Sequence, residues 1–274
     1  MDRYPSQLEA SGPEFSRLVE RIPLQSRPPL SPEWLRCEML ERHQVLRVAG
    51  ISPGTSALEV GSGSHAIATV PLAFELGPEG RLIAVERSRW SEFQPVVTAS
   101  GLSDRVRPVR GDARRLPFSD SAMDLALCIH GIRSLGSDEE VVTVIREMFR
   151  VAPRVVLAES LPLAESDAQA AHLAMYDLRE PVFASTTGRA DDRHYRPLAQ
   201  LAELVERAGG HVERHRTVRV DLPHALAYFP RALAESVPDP EERRDLLRRW
   251  DAAAARIERY GADHPPVGLV EGRR

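Results

Sequence analysis

Residues 57–65, Ala-Leu-Glu-Val-Gly-Ser-Gly-Ser-His, constrain the fold more than any other stretch of the chain. An apolar run ends in two glycines one residue apart, with an acid two positions before the first. Pro53-Gly54 opens the run, and the apolar residues from Ala66 to Leu72 that follow it predict a helix. Strand, tight turn and helix in that order aim backbone N–H groups and a helix N-terminus at a nucleotide-like ligand. Alone, a Gly-x-Gly turn says little, because glycine serves many turns. A second apolar run sharpens it: Arg81 to Glu86 closes on an acid 21 residues beyond His65, the spacing at which such folds set a carboxylate against ribose hydroxyls.

From residue 55 to 160, apolar runs alternate with helical patterns, the signature of a parallel sheet built from βαβ units. Strands are expected near 56–60, 81–86, 105–109, 123–129 and 154–159, with an amphipathic helix over Glu139–Arg150. A helix over Leu198–Ala208 then leads through Gly209-Gly210 to a strand near Val212–Val220. At the other end, Phe15, Leu18, Val19 and Ile22 form a short amphipathic run. Ser31-Pro32-Glu33 reads as the cap and first turn of a longer helix that Gly50 ends. The chain thus divides into a helical cap over 1–50 and a domain over 51–274. Within that domain, 161–195 and 222–262 are too long for bare connections and read as lids. The first should hold a helix over Ala168–Leu178 and a polar loop over Ser185–Arg193; the second, two helical stretches, the latter over Glu241–Tyr260.

These residues resemble the class I, Rossmann-like methyltransferases that use S-adenosylmethionine (SAM). In that family an (Asp/Glu)-x-Gly-x-Gly-x-Gly turn ends the first strand and an acid ends the second. The resemblance continues through Gly111-Asp112-Ala113, Leu116-Pro117-Phe118 and the strand Met123 to Cys128, and loosely to Pro265–Val270 as a last, antiparallel strand. It covers roughly residues 50–160 closely and 195–274 loosely. One departure is His65, which stands at the family's third glycine. The resemblance implies an α/β fold: a seven-stranded, mostly parallel sheet with helices on both faces, N-terminal helices and helical lids. It also implies SAM as cofactor. Glu59 would order the methionine end of SAM, or else bond the turn's own N–H groups. Gly61, Ser62 and Gly63 would let the backbone approach the ligand. Glu86, with Arg87 beside it, would meet the ribose; Asp112 and the Ala113 N–H would meet the adenine; Ile129 and His130 would flank the methionyl group.

Composition removes several other chemistries. All 36 basic residues are Arg, so Schiff-base lysine chemistry and a P-loop lysine are excluded. Two cysteines, Cys37 and Cys128, are too few for a disulfide framework, and no His, Cys, Asp or Glu cluster has zinc or iron–sulfur spacing, so no metal is expected. A formal charge of −4 argues against a general nucleic-acid binder. No stretch approaches the ~20 apolar residues of a membrane span, and the first residues carry no signal-like apolar run. A cytoplasmic protein without membrane or nucleic-acid partners is expected, its oligomeric state open, a homo-oligomer included.

The expected activity is methyl transfer to a small-molecule acceptor on O, N or C. Sequence marks the acceptor side less sharply than the cofactor side, because a sulfonium methyl needs alignment more than a reactive side chain. Candidates for moving a proton or orienting the acceptor are His130 and Glu159 at strand ends, His172, Tyr176 and Asp177 on the lid helix, and His194 and Tyr195 beyond it. Leu173, Met175, Leu226, Tyr228 and Phe229 would supply apolar lining. Other readings stay open: a protein or RNA methyltransferase, a non-catalytic SAM-binding protein, and a nicotinamide-dependent oxidoreductase.

Overall fold

The computed structural model describes residues 11–24, 32–87, 90, 92–188, 193–220 and 230–274. Ser31, Leu226, Tyr228 and Phe229 lie outside the described residues. Two helices, α1 (Pro13–Arg21) and α2 (Pro32–Ala49), precede the sheet. Then come β1 (Ser56–Val60), α3 (Thr69–Glu75), β2 (Arg81–Glu86), α4 (Phe93–Ala99), β3 (Val106–Arg110) and β4 (Leu125–Ile129). A 3-10 turn (Ile132–Ser134) leads to α5 (Asp138–Val151), β5 (Arg154–Ser160), α6 (Asp167–Tyr176) and α7 (Arg179–Thr187). The chain ends with α8 (Leu198–Arg207), β6 (His211–Val218), α9 (Arg231–Glu235), α10 (Pro240–Tyr260) and β7 (Val267–Arg273).

The strands form one seven-stranded sheet in the order β3-β2-β1-β4-β5-β7-β6. All neighbours run parallel except β7, which is antiparallel to β5 and β6. This is the class I, Rossmann-like α/β fold. Successive strand residues point to opposite faces, and they sort into two separate cores. Ala57, Leu82, Leu125, Leu127 and Val156 pack with α1 to α4, α6 and α10. Leu58, Val60, Ala126, Cys128 and Leu157 pack with α5 and α8. Helix α5 shows why such a segment is helical. Ser137 accepts from the Glu140 N–H, three acids fill the first turn, Arg150 sits in the last, and Val141, Val144, Ile145 and Met148 line the buried face.

Three expectations change. The helix after the glycine turn starts at Thr69, because Ala66 sits in the left-handed region at φ 51 and cannot begin a helix. The expected helix over 168–178 ends at Tyr176, and α7 follows from Arg179. Residues 185–187, expected in a polar loop, belong to α7, which Gly188 closes at φ 66.

The cap is bolted to the far edge of the sheet by arginines. Arg154 of β5 donates through Nη2 to the Ala49 carbonyl at 2.7 Å and to Glu271 at 2.9 Å. Arg214 of β6 pairs with the same carboxylate, and Arg216 donates to the Val48 carbonyl. These guanidinium groups satisfy the last carbonyls of α2 and sit at the negative end of its dipole. At the other end of the domain, Thr69 donates to Glu59 at 2.5 Å, pinning α3 to β1. Burial pushes the Glu59 carboxyl up from 4.5 to about 7, against the Thr69 hydrogen bond that favours its charge.

Two outcomes follow from these contacts. Arg154→Ala strips a nearly buried Glu271 of one partner and the Ala49 carbonyl of its 2.7 Å hydrogen bond, so it should cost about 2 kcal/mol in denaturant unfolding; an unchanged midpoint would refute the bolt. For Glu59 the folded chain keeps a proton that the unfolded chain releases near 4.5, so stability falls as pH rises from there towards 7. Glu59→Gln removes that slope. Across the same window it should gain about 2–3 kcal/mol relative to the parent in urea titrations, and parallel pH dependences would contradict this.

Candidate functional site

A cavity of about 680 Å³ opens at the carboxyl ends of β1, β2, β4 and β5. It sits where the strand order reverses between β1 and β4, the place at which open α/β sheets bind ligands. Gly61 and Gly63 turn the chain there at φ 79 and 67. The Gly61 and Ser62 N–H groups donate to the Val85 carbonyl at 2.9 and 3.2 Å, which ties the turn to β2. Across the cleft, a Cβ on Gly131 would lie 2.6 Å from Cys128 Sγ, so only glycine lets the chain pass beneath the turn.

The Glu86 carboxylate stands on the wall beside the turn, accepting from the Gly63 N–H at 3.1 Å and from the Arg87 N–H at 2.9 Å. A carboxylate has about four acceptor sites and can take several donors at once. Ser62 Oγ is buried beside Gly63 with no hydrogen-bond partner among the described residues. Arg87, Asp112, Ala113 and Ile129 complete this end. Asp112 is already held by Arg114, whose Nη2 donates at 2.7 Å. That hydrogen bond holds the Asp112 carboxyl down at about 2. Glu59 is off the wall; its carboxylate faces Thr69 behind the turn.

His130 follows β4 with the left-handed φ of 54, a conformation rare for a residue with a side chain. Its Nδ1 accepts from the Ser160 N–H at 3.2 Å, and its Nε2 lies 3.2 Å from Glu41 of α2. That bonding assigns the proton to Nε2. Burial, with Arg42 adding to it, pushes the imidazole down to about 3. Its lone pair is occupied, so the geometry gives His130 a positioning role rather than that of a base. Burial raises Glu41 too, while Arg42 pulls it down.

The opposite end of the cavity is polar. His172 is buried and stacks on Tyr176 at 6.5 Å, with His264 edge-on at 5.4 Å. The Tyr176 hydroxyl oxygen accepts from Arg193 Nη1 at 2.6 Å and from the Tyr195 hydroxyl. Arg133 of the 3-10 turn lies 5.7 Å over the Tyr195 ring. Glu159 backs it, accepting the Arg133 N–H at 3.3 Å. Leu173 and Asp177 also line this end, whereas Met175 is buried in the core. His194 is exposed and off the wall, where it contributes its backbone N–H to the Arg133 carbonyl at 2.8 Å. Sequence reasoning missed Arg133, Arg193, Glu41 and Arg42. Arg133 was within reach, standing three residues past His130 at the same sheet end; the others arrive from distant elements. Among the described residues, no cluster of His, Cys, Asp and Glu could hold a metal ion, and no helix is long and apolar enough to cross a membrane.

Comparison with known proteins gives sequence matches over part of the chain and a structural match over nearly all of it. A family model described as a methyltransferase domain matches residues 58–154. Demethylmenaquinone methyltransferase of Geobacillus stearothermophilus is 33% identical over 112 residues, 40% of this chain and 46% of that protein. Its counterpart in Mycolicibacterium paratuberculosis is 30% identical over 110 residues, 40% of this chain and 44% of that protein. The chain thus matches less than half the length of these curated relatives. Among solved structures, a cyclopropane-fatty-acyl-phospholipid synthase-like protein from Lactobacillus casei superposes with a TM-score of 0.72 at 16% identity, over 96% of this chain and 99% of that one. A SAM-dependent methyltransferase from Aquifex aeolicus gives 0.50 at 18% identity, over 75% of this chain and 92% of that one. At such identities the structural likeness speaks for the fold. The chain is thus similar to methyltransferase domains over residues 58–154, and its sheet order is that of the class I, Rossmann-like fold.

Proposed function

We propose that the protein transfers a methyl group from SAM to a small-molecule acceptor, releasing S-adenosylhomocysteine. One observation carries the reading. A single cavity runs from the Gly61–Gly63 turn and Glu86 to the Tyr176–Tyr195 pair, so a cofactor cradle and a polar acceptor chamber share one covered space. Its size and its cover by α6 suit a small acceptor better than a macromolecular chain.

The donor set at the turn fits SAM. Gly61, Ser62 and Gly63 offer close backbone approach, Ser62 Oγ an unused buried hydroxyl, and Glu86 a carboxylate for the two ribose hydroxyls. Asp112 and Ala113 line the same cavity and would meet the adenine, with Arg114 sharing the carboxylate. When bound, SAM supplies an electrophilic methyl group. The chain supplies the rest. His130 and Gly131 shape the floor between the two ends, α6 excludes water, and the polar far wall orients the acceptor for in-line approach, which can account for much of the acceleration.

The direct test incubates the protein with SAM and a small-molecule extract and seeks, by mass spectrometry, a methylated product with stoichiometric S-adenosylhomocysteine. A protein that binds S-adenosylhomocysteine yet never produces it would be a non-catalytic binder. Each hydrogen bond to a charged group is worth roughly 1.5–3 kcal/mol, so Glu86→Ala should weaken S-adenosylhomocysteine binding at least about tenfold by calorimetry. Unaltered affinity would remove Glu86 from the ribose site. On the acceptor side, His172→Ala and Tyr195→Ala should lower turnover while sparing that affinity, and His194→Ala, off the wall, should leave both intact. Equal losses at all three positions would argue for a general folding defect.

A further inference from the structure

Tyr176 stands where basic groups from four segments converge. Arg193 and Tyr195, just before α8, both donate to its hydroxyl oxygen. Arg133 approaches the same pair from the turn after β4, and Arg179 lines the cavity at the start of α7. On its own helix, His172 stacks on the ring, and His264, before β7, packs edge-on against His172. Two acids lie nearby: Glu159 accepts the Arg133 N–H and stands 3.9 Å from its guanidinium, and burial raises the Asp177 carboxyl against the pull of Arg249 on α10.

We propose that Tyr176 is the general base of this cavity: a phenolate held by Arg193 and Tyr195 that takes the proton of an O–H or acidic C–H acceptor. Acceptor identity rests on the methyl-transfer reading above; the phenolate does not. In the step, the acceptor's O–H or C–H bond breaks, its proton joins Tyr176 Oη, and the electron pair stays on the acceptor as the nucleophile. The proton passes to water when product leaves. The two phenols are driven apart, the arrangement that marks an acid–base assignment. Burial pushes both up, but the guanidinium groups of Arg133, Arg193 and Arg179, with the Tyr195 hydrogen bond, hold Tyr176 below its ordinary 10.0. Tyr195 is pushed above that value, chiefly by burial, and stays a neutral donor.

The acceptor class follows from the same charges. An amine acceptor enters as an ammonium ion and would be repelled by three guanidinium groups. An oxygen or carbon acid instead becomes an anion as its proton leaves, and Arg133 and Arg193 stabilise that charge as it passes from the phenolate to the acceptor.

Tyrosinate absorbance of the ligand-free protein tests this. The chain has 5 tyrosines, so difference spectra between variants isolate one of them. The parent should show a single-tyrosine transition below 10.0 that Tyr176→Phe abolishes and Arg193→Gln moves upward. Parent and Tyr176→Phe titrating alike below the ordinary range would overturn the proposal, as would a transition indifferent to Arg193→Gln. S-adenosylhomocysteine calorimetry on the same variants should stay within about twofold of the parent, so a failed cofactor reading is seen separately. In methyl transfer, kcat/KM should rise with pH through that transition, because the base acts above its pKa, and the rise should vanish in Tyr176→Phe. A profile flat through the transition would leave a structural phenolate and remove the base.

Discussion

The close approach of β1 and β4 at their carboxyl ends is the constraint on which the rest of the site depends. The strand order reverses there, so the chain leaves the two strands towards opposite faces of the sheet and a crevice opens between them. The backbones come so near that a Cβ on Gly61 would lie 3.8 Å from Gly131 Cα, and Gly131 has no room for a side chain at all. That approach places the β1 turn and the β4 exit against one cavity.

Helix α2 joins this crevice through buried charge rather than through apolar packing alone. Glu38, Glu41, Arg42 and His43 are all buried on it. Glu41 reaches His130 on the cavity floor, and His43 reaches Glu75 at the end of α3. Burying such groups costs free energy unless each is paired, and removing one partner leaves the other stranded. The cap therefore cannot shift without disturbing His130, whose left-handed backbone already carries strain of about 1–3 kcal/mol. Cap position and cavity floor are one mechanical unit.

Local pattern made β1 to β6, α5, α8 and α10 legible, because each carries its own periodicity or caps, whereas β7 came only from the family resemblance. The turn end of the cavity was legible for the same reason, since the turn, Glu86 and Asp112 are short-range signals at the ends of successive strands and line one wall. Pattern failed where backbone conformation or distance decides. Ala66 breaks the helix expected after the turn through a dihedral that no alanine advertises. Glu59 sits correctly in sequence yet faces Thr69, because the face of a strand towards which one residue points depends on what packs behind it. The acceptor end was only half legible. Tyr176 and Tyr195 stood out by residue type, but their partners Arg133 and Arg193 arrive from elements 43 and 17 positions away from Tyr176 in a chain with 36 arginines, where no single one is conspicuous.

That arginine excess bears on the chemistry. A buried lysine can discharge itself by losing a proton, and its field then disappears. A guanidinium group stays charged at any pH at which the protein is folded. With no lysine in the chain, the field around the Tyr176–Tyr195 pair is permanent. The Arg133 group, half-buried against Glu159, belongs to the same fixed array. Proton movement in the cavity must then fall to side chains that can titrate within that field. His130 is held neutral by burial, and its lone pair is taken by Ser160. The positive field lowers the cost of ionising a phenol and raises that of charging an imidazole, so a site built from arginine directs its proton chemistry to oxygen.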